Sequence, residues 1–363
     1  MENKNVKPNE VEAKEIIEKK DFTKDNKVIS IIFHIVAVVC IIIFCSAISP
    51  KTLQNDTFYT IPIGEYIYNN GISDLTTDNF SWHELPYTYP HWLYDLMMFL
   101  IYDNFGQAGI YVSTMAFTSI LGISIYILCN KKSKNKVVSF VLSIGAIYLM
   151  KSFIAARAQL VTFILFVWAV FFIEKFLETK KVRYAVPLVL IPLLIANLHC
   201  AVFPFYFVLF LPYIAEYLLT CFVDWDLDVR IFSRFTKIIN KFTKKETKKE
   251  KFAKRIEKLE FIKSERKRKR NIIREKPYKI KVQKNHVVLL LIGIMLFGVC
   301  TGFLNPAGDG AYKYLPKTMN GNTMRSINEH LPLTLAENNE FAITLITVSY
   351  THLRAHETGR NLV

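Results

Sequence analysis

The chain has 363 residues, of which 52% are apolar and 14% aromatic, and carries a formal net charge of +15. Its apolar residues fall in runs, several of 16 to 23 residues with almost no charge, close to the ~20 residues that cross a hydrocarbon core. That pattern excludes a disordered, fibrous or ordinary cytosolic protein and points to a multi-pass membrane protein.

Residues 1–27 form a polar segment with seven Lys and seven acidic residues. Val28–Ser49 follows as the first expected span, and its long polar lead reads as an uncleaved signal-anchor. Further spans are expected at Gln107–Cys129, Val137–Ala156, Ala158–Ile173, Tyr184–Leu198, Ala201–Val223 and Val287–Leu304, and Phe341–Tyr350 begins another and stops halfway. Pro187, Pro192, Pro204 and Pro212 predict kinks, which neighbouring helices tolerate by taking up the freed carbonyls. The six cysteines (Cys40, Cys45, Cys129, Cys200, Cys221, Cys300) lie in or beside apolar runs with no metal-like spacing. They read as small packing residues, with a Cys200–Cys300 disulfide left open.

Lys and Arg alternate across the connections, which places the N-terminus in the cytoplasm. Residues 223–286 hold 23 Lys/Arg against 9 Asp/Glu and carry nearly the whole net charge of the chain. Within this loop Phe232, Phe235, Ile238, Ile239 and Phe242, then Phe252, Ile256 and Leu259, recur at helical spacing. A basic amphipathic helix tethered between spans is expected to lie on anionic inner-leaflet lipids. A plain solvated helical loop is the other reading, and nucleic acid is the least favoured partner.

The outer segment 50–106 is acidic and aromatic, with Asp56, Glu65, Asp74, Asp78, Glu84, Asp95 and Asp103 against Lys51. Asp56 is expected to cap a short helix through Tyr68, closed by Gly71, with Phe58, Ile61, Tyr66 and Ile67 toward the bilayer. His91–Tyr102 forms a second apolar segment, interrupted by Asp95. The density of Trp82, Tyr87, Tyr89, Trp92 and Tyr94 suits a headgroup boundary.

Several residues carry both a chemical and a structural reading. Asp56, seven residues past the first span, is either a helix cap or a base that takes a proton from an acceptor hydroxyl. Arg157 and Lys151, at a span end, either grip a lipid phosphate or snorkel to the headgroups. His199, in the tight Asn197–Cys200 connection, binds substrate or is a satisfied structural histidine. His83, Glu84 and His91 beside Asp78 are a weak metal candidate, and Glu329-His330 either faces the site or ends a solvated helix.

The outer segment reads Asp56-x-Phe58, Gly64-Glu65, Gly71, Thr77-Asp78-x-Phe80-Ser81 and Pro90-His91-Trp92-Leu93. It is followed by Arg157-Ala158-Gln159-Leu160, Asn197-Leu198-His199, Asn305-Pro306-x-Gly308 and Glu329-His330. In this order the stretches resemble bacterial integral-membrane proteins of the GT-C glycosyltransferase superfamily, over about residues 28–345 apart from the basic loop. Ala158 stands where the group has proline. The resemblance implies transfer of a sugar from a polyprenyl-phosphate carrier to an envelope acceptor on the outer face, with inversion at the anomeric carbon. It implies Asp56 as the catalytic base, and the candidate substrate-binding set is Arg157, Glu65, Asp78, His91, His199 and Glu329. Asn55 replaces one member of the group's acidic pair, so a divalent metal stays open.

The expected organisation is therefore an all-α polytopic plasma-membrane protein with seven complete spans, a partial eighth, and membrane-lying helices in the first outer loop. Its regions are a cytoplasmic tail (1–27), a transmembrane region with outer loop 50–106 (28–222), a basic loop (223–286), a transmembrane helix with its outer loop and the start of a further span (287–347), and a tail (348–363). The tail breaks the composition and reads as non-native, which implies a longer natural protein. A transporter or flippase of envelope precursors is the rival from another class, expected to place ionisable groups at mid-span. A non-catalytic scaffold is the third reading.

Overall fold

The computed structural model describes residues 27–73, 75–80, 82, 85–224, 234, 235, 238, 253–265 and 286–320. The described chain is helical, and one isolated antiparallel bridge joins Thr77 to Pro86. The helices are α1 (Lys27–Ile48), α2 (Asn55–Asn70), α3 (Trp92–Ser133), α4 (Lys136–Leu149), α5 (Ala158–Thr179) and α6 (Val182–Leu198). They continue with α7 (Phe203–Val208), α8 (Leu211–Asp224), α9 (253–265), α10 (His286–Cys300) and α11 (Gly310–Met319).

Among the described residues four stretches are long and apolar enough to cross a membrane: Val28–Ile48, Trp92–Ser133, Ala158–Thr179 and Val287–Leu304. This is the make-up of an α-helical membrane protein. Two expected spans come out shortened or broken, and a third is slightly extended. α4 ends at Leu149, after 14 residues or about 21 Å, and passes through a 3₁₀ turn at Lys151–Phe153. The expected Ala201–Val223 is broken into a 3₁₀ turn, α7 and α8, whereas α6, with 17 residues, contains the expected Tyr184–Leu198 and starts two residues before it. α3 is two helical pieces that meet at Gly106, whose φ of 58° is left-handed and breaks the helix there. The break separates the apolar segment His91–Tyr102 from the span expected to start at Gln107.

The chain divides into two units. The first contains residues 27–171, 194–202 and 305–320 among those described. In it α1 turns Ala37, Ile41 and Cys45 inward, each at most 3% exposed, while Ile31, Ile35, Val39 and Ile43 stay exposed. The inward stripe recurs every fourth residue and meets Leu121 and Tyr126 of α3, Ile147 of α4 and Leu160 of α5. Small and polar side chains join these helices: Ser143 Oγ donates to the Gly122 carbonyl at 2.6 Å, and His34 Nδ1 meets Tyr126 Oη at 2.6 Å. Such pairs suit helices that associate where water is absent.

Within the same unit α2 packs on the first half of α3 through Ile63 and Ile67, which cluster with Leu75 and Tyr89. Ile67 is 2% exposed, so it faces protein and not the bilayer. α2 also starts two residues earlier than expected: Gln54 occupies the cap position and Asp56 lies inside the first turn.

The second unit contains residues 172–193 and the described part of 203–304. Pro192 lies inside α6 and leaves the carbonyl of Leu188, four residues back, without its helical N–H. The buried Tyr206 hydroxyl donates to that carbonyl at 2.7 Å, the compensation expected for a kinked span. α9 turns Ile256, Leu259 and Ile262 to one half-buried face among exposed residues, in line with the amphipathic spacing, and most of the basic loop lies outside the described residues. The five described cysteines are free, so Cys200 and Cys300 are not joined.

Candidate functional site

Asp56 sits in the first turn of α2, where the helix dipole favours a negative charge. Its carboxylate does not cap the helix. Instead Oδ2 lies 2.6 Å from Nε of Arg157. Arg157 is placed by the buried run Ile154, Ala155 and Ala156 before it and Ala158 after it, all at most 6% exposed. Its own amide donates to the Ala155 carbonyl at 2.8 Å, a tight bend that leaves the side chain at the surface of the unit.

His91 and His199 reach the same place by a second route. The Cys200 amide donates to the Pro90 carbonyl at 2.7 Å, and Trp92 Nε1 donates to Asn197 Oδ1 at 3.1 Å. Asn305 Nδ2 donates to the Ala196 carbonyl at 2.5 Å, and its Oδ1 accepts from the Ala307 amide. Three stretches that stood out in the sequence, around residues 90–92, 197–200 and 305–308, are thus bound to one another by backbone and amide bonds.

The result is a cleft of about 160 Å³ lined by Asp56, Thr60, His91, Tyr94, Arg157, Ala158, Gln159 and His199. His91 donates from Nδ1 to both oxygens of Asp95, at 2.7 and 2.8 Å. Its Nε2 shares a 2.8 Å hydrogen bond with the Tyr59 hydroxyl. Asp95 is fully buried, so this histidine and Thr60 supply the partners that a buried carboxylate requires. Burial pushes the Tyr59 and Tyr87 phenols above the usual tyrosine range, with neighbouring carboxylates and tyrosines adding to it. Both stay protonated, and the Tyr59 hydroxyl is bonded to His91.

His199 Nδ1 lies 3.0 Å from Thr162 Oγ1. Burial, with the nearby His91 as a lesser cause, pushes the His199 imidazole down to about 3, so it is neutral throughout the physiological range. The cleft therefore combines a permanent cation, a carboxylate in contact with it, and an uncharged imidazole. That set can bind an anionic group and accept a proton from a hydroxyl.

The structure brings Asp56, Arg157, His91 and His199 together. It does not bring Glu65, which is exposed further along α2, or Asp78, whose Oδ1 accepts from the Phe80 amide in a local turn. Lys151 lies in its 3₁₀ turn and does not line the cleft. Glu329, His330, His83 and Glu84 lie outside the described residues. Among the described residues no group of three or more His, Cys, Asp or Glu converges as a metal site, and His91 is already held by Asp95 and Tyr59. The described residues of the cleft do not fit a metal centre.

Sequence reasoning missed Thr60, Tyr59, Gln159, Thr162 and the role of Asp95. Two signals were present: Thr60 follows Asp56 at helical spacing, and Asp95 follows His91 by four residues inside an apolar run. Comparison of the chain with family models, curated proteins and solved structures gave no match.

Proposed function

We propose that this chain is a GT-C-like glycosyltransferase of the plasma membrane that moves a sugar from a polyprenyl-phosphate donor to an envelope acceptor on the outer face. In this reading the N-terminus is cytoplasmic, the chain has seven complete spans and the start of an eighth, and the basic loop rests on anionic inner-leaflet lipids. The observation that carries the reading is the contact between Asp56 and Arg157 in one small cleft.

The chemistry follows from that pair. The donor phosphate approaches Arg157, whose planar guanidinium suits phosphate geometry, and replaces Asp56 as its partner. The released carboxylate accepts the proton of an acceptor hydroxyl as that oxygen bonds to the anomeric carbon from the opposite face. The bond from the anomeric carbon to the phosphate oxygen breaks, and the electron pair leaves on the polyprenyl phosphate, held by Arg157. The product is the inverted glycoside.

The test is transfer by the protein in nanodiscs with polyprenyl-phosphate-linked sugars. Asp56→Asn is expected to abolish it, and activity equal to the original protein overturns the role of Asp56. A transporter is the second reading, favoured by His34, an ionisable group inside the apolar α1. Flux of a lipid-linked precursor across vesicles that persists in Asp56→Asn supports it.

A further inference from the structure

We propose that His199 seats the acceptor: its unprotonated Nε2 takes a hydrogen bond from a hydroxyl of a sugar or polyol ring bound in the cleft. The identity of this ligand rests on the glycosyl-transfer reading, whereas the state of the imidazole does not.

The proton assignment follows from one hydroxyl. Thr162 Oγ1 lies 3.2 Å from the carbonyl of Ala158, one helical turn before it on α5, and a hydroxyl has a single proton to give. With that proton directed to Ala158, the oxygen is left as an acceptor. In the arrangement proposed here the His199 Nδ1 at 3.0 Å carries the hydrogen and donates to it. A neutral imidazole protonated at Nδ1 presents a bare lone pair at Nε2.

The surroundings keep the ring in that state. Thr162 faces it from α5, Arg157 and Gln159 from the start of the same helix, His91 and Tyr94 from α3, and Asp56 and Thr60 from α2. On the other side Cys200 follows in the chain, with Tyr314 of α11 beyond it. Asp56 is engaged by Arg157 and Asp95 by His91. No carboxylate in the cleft therefore stands unpaired to hold a proton on His199.

A bare nitrogen lone pair discriminates by chemistry. An ionised phosphate oxygen has no proton to offer and is repelled by it, whereas a hydroxyl donates. The cleft thus separates two ligand parts, with phosphate drawn to Arg157 and a hydroxyl-bearing ring to His199. Its volume of about 160 Å³ is below the ~300–1,000 Å³ of pockets that enclose drug-sized ligands.

The first experiment records ¹⁵N signals of histidine-labelled protein in nanodiscs between pH 7 and pH 5, with His199→Gln identifying the resonance. The expected result is a protonated Nδ1 and an unprotonated Nε2 that do not change over this range. A proton on Nε2, or an imidazolium at pH 7, overturns the proposal without touching the role of Asp56. The second experiment measures steady-state transfer. His199→Gln keeps an acceptor atom and is expected to retain acceptor KM within about threefold, whereas His199→Phe raises it about tenfold, the worth of one hydrogen bond, with donor KM unchanged. Equal losses in both variants, or a change confined to donor KM, overturn the proposal. Absence of transfer by the original protein overturns the glycosyl-transfer reading and the acceptor role with it, and leaves the tautomer result standing.

Discussion

Asp56 and Arg157, far apart in the chain, place Oδ2 and Nε 2.6 Å apart at the edge of the cleft. Each is about a third or more exposed, so water and a ligand can reach both partners. A pair of this kind is worth about 0.2–1 kcal/mol, weak enough for a phosphate to displace.

The displacement has a measurable sign. Asp56→Asn removes the competitor for Arg157 and is expected to tighten binding of farnesyl phosphate by roughly two- to fivefold, even though transfer is lost. Glu65→Gln removes a charge from the same helix but not from Arg157, and is expected to leave binding unchanged. Titration calorimetry in nanodiscs checks both, and weaker binding by Asp56→Asn contradicts the exchange.

Asp95 is fully buried against His91. Asp95→Ala leaves the imidazole without its Nδ1 partner and is expected to cost about 3–5 kcal/mol of stability. Asp95→Asn retains one acceptor and is expected to cost less. Thermal unfolding of the two variants tests the order, and equal melting temperatures contradict it.

Gly64 is where α2 meets α3 most closely. A Cβ there would overlap the Asp95 carbonyl and come within 2.5 Å of Phe99 Cβ. Gly64→Ala must push α2 outward, at a cost of about 1–3 kcal/mol, and carry Asp56 and Thr60 away from the cleft. Both a lowered Tm and weaker phosphate binding are expected, whereas Gly145→Ala, which meets nothing within 4 Å, changes neither.

Tyr206→Phe leaves the Leu188 carbonyl unpartnered next to Pro192. The expected loss is about 1–2 kcal/mol. Pro192→Ala restores a helical N–H to that carbonyl, so Tyr206→Phe in that background is expected to cost little. A double-mutant cycle on thermal stability reads the coupling.

The low value of His199 sets a pH dependence. In the folded protein it binds a proton only near pH 3, whereas the unfolded chain does so near the ordinary value of ~6.5. Between those values the unfolded state holds more protons, so stability falls as pH drops from about 6.5 toward 3. His199→Gln is expected to flatten that fall in melts between pH 7 and pH 4.5, and an unchanged slope contradicts the burial of the ring.

Much of the membrane character was legible because hydrocarbon imposes a local demand. A spanning segment satisfies its own backbone and needs a contiguous apolar run, so Val28–Ile48 and Val287–Leu304 could be read residue by residue. Pro187, Pro192 and Pro212 were legible as disruptions, but not the Tyr206 hydroxyl that answers one of them. Helix lengths were less legible: α4 stops at Leu149 although Lys151–Ala156 stays largely apolar, because a 3₁₀ turn and the buried Ile154–Ala156 serve to aim Arg157.

The sequence by itself determined an all-helical membrane protein, an acidic aromatic segment after the first span, and a basic loop before Val287–Leu304, since each depends on composition over a short window. Only the tertiary structure decided that Asp56 meets Arg157 instead of capping α2, that Ile67 faces protein, and that Glu65 and Asp78 stay away from the cleft. It also decided that His91 and His199 share one wall, through bonds from Pro90, Trp92 and Asn305 to the turn after α6. Those outcomes depend on which distant backbone groups satisfy one another once water is excluded, and no local pattern of residues encodes that choice.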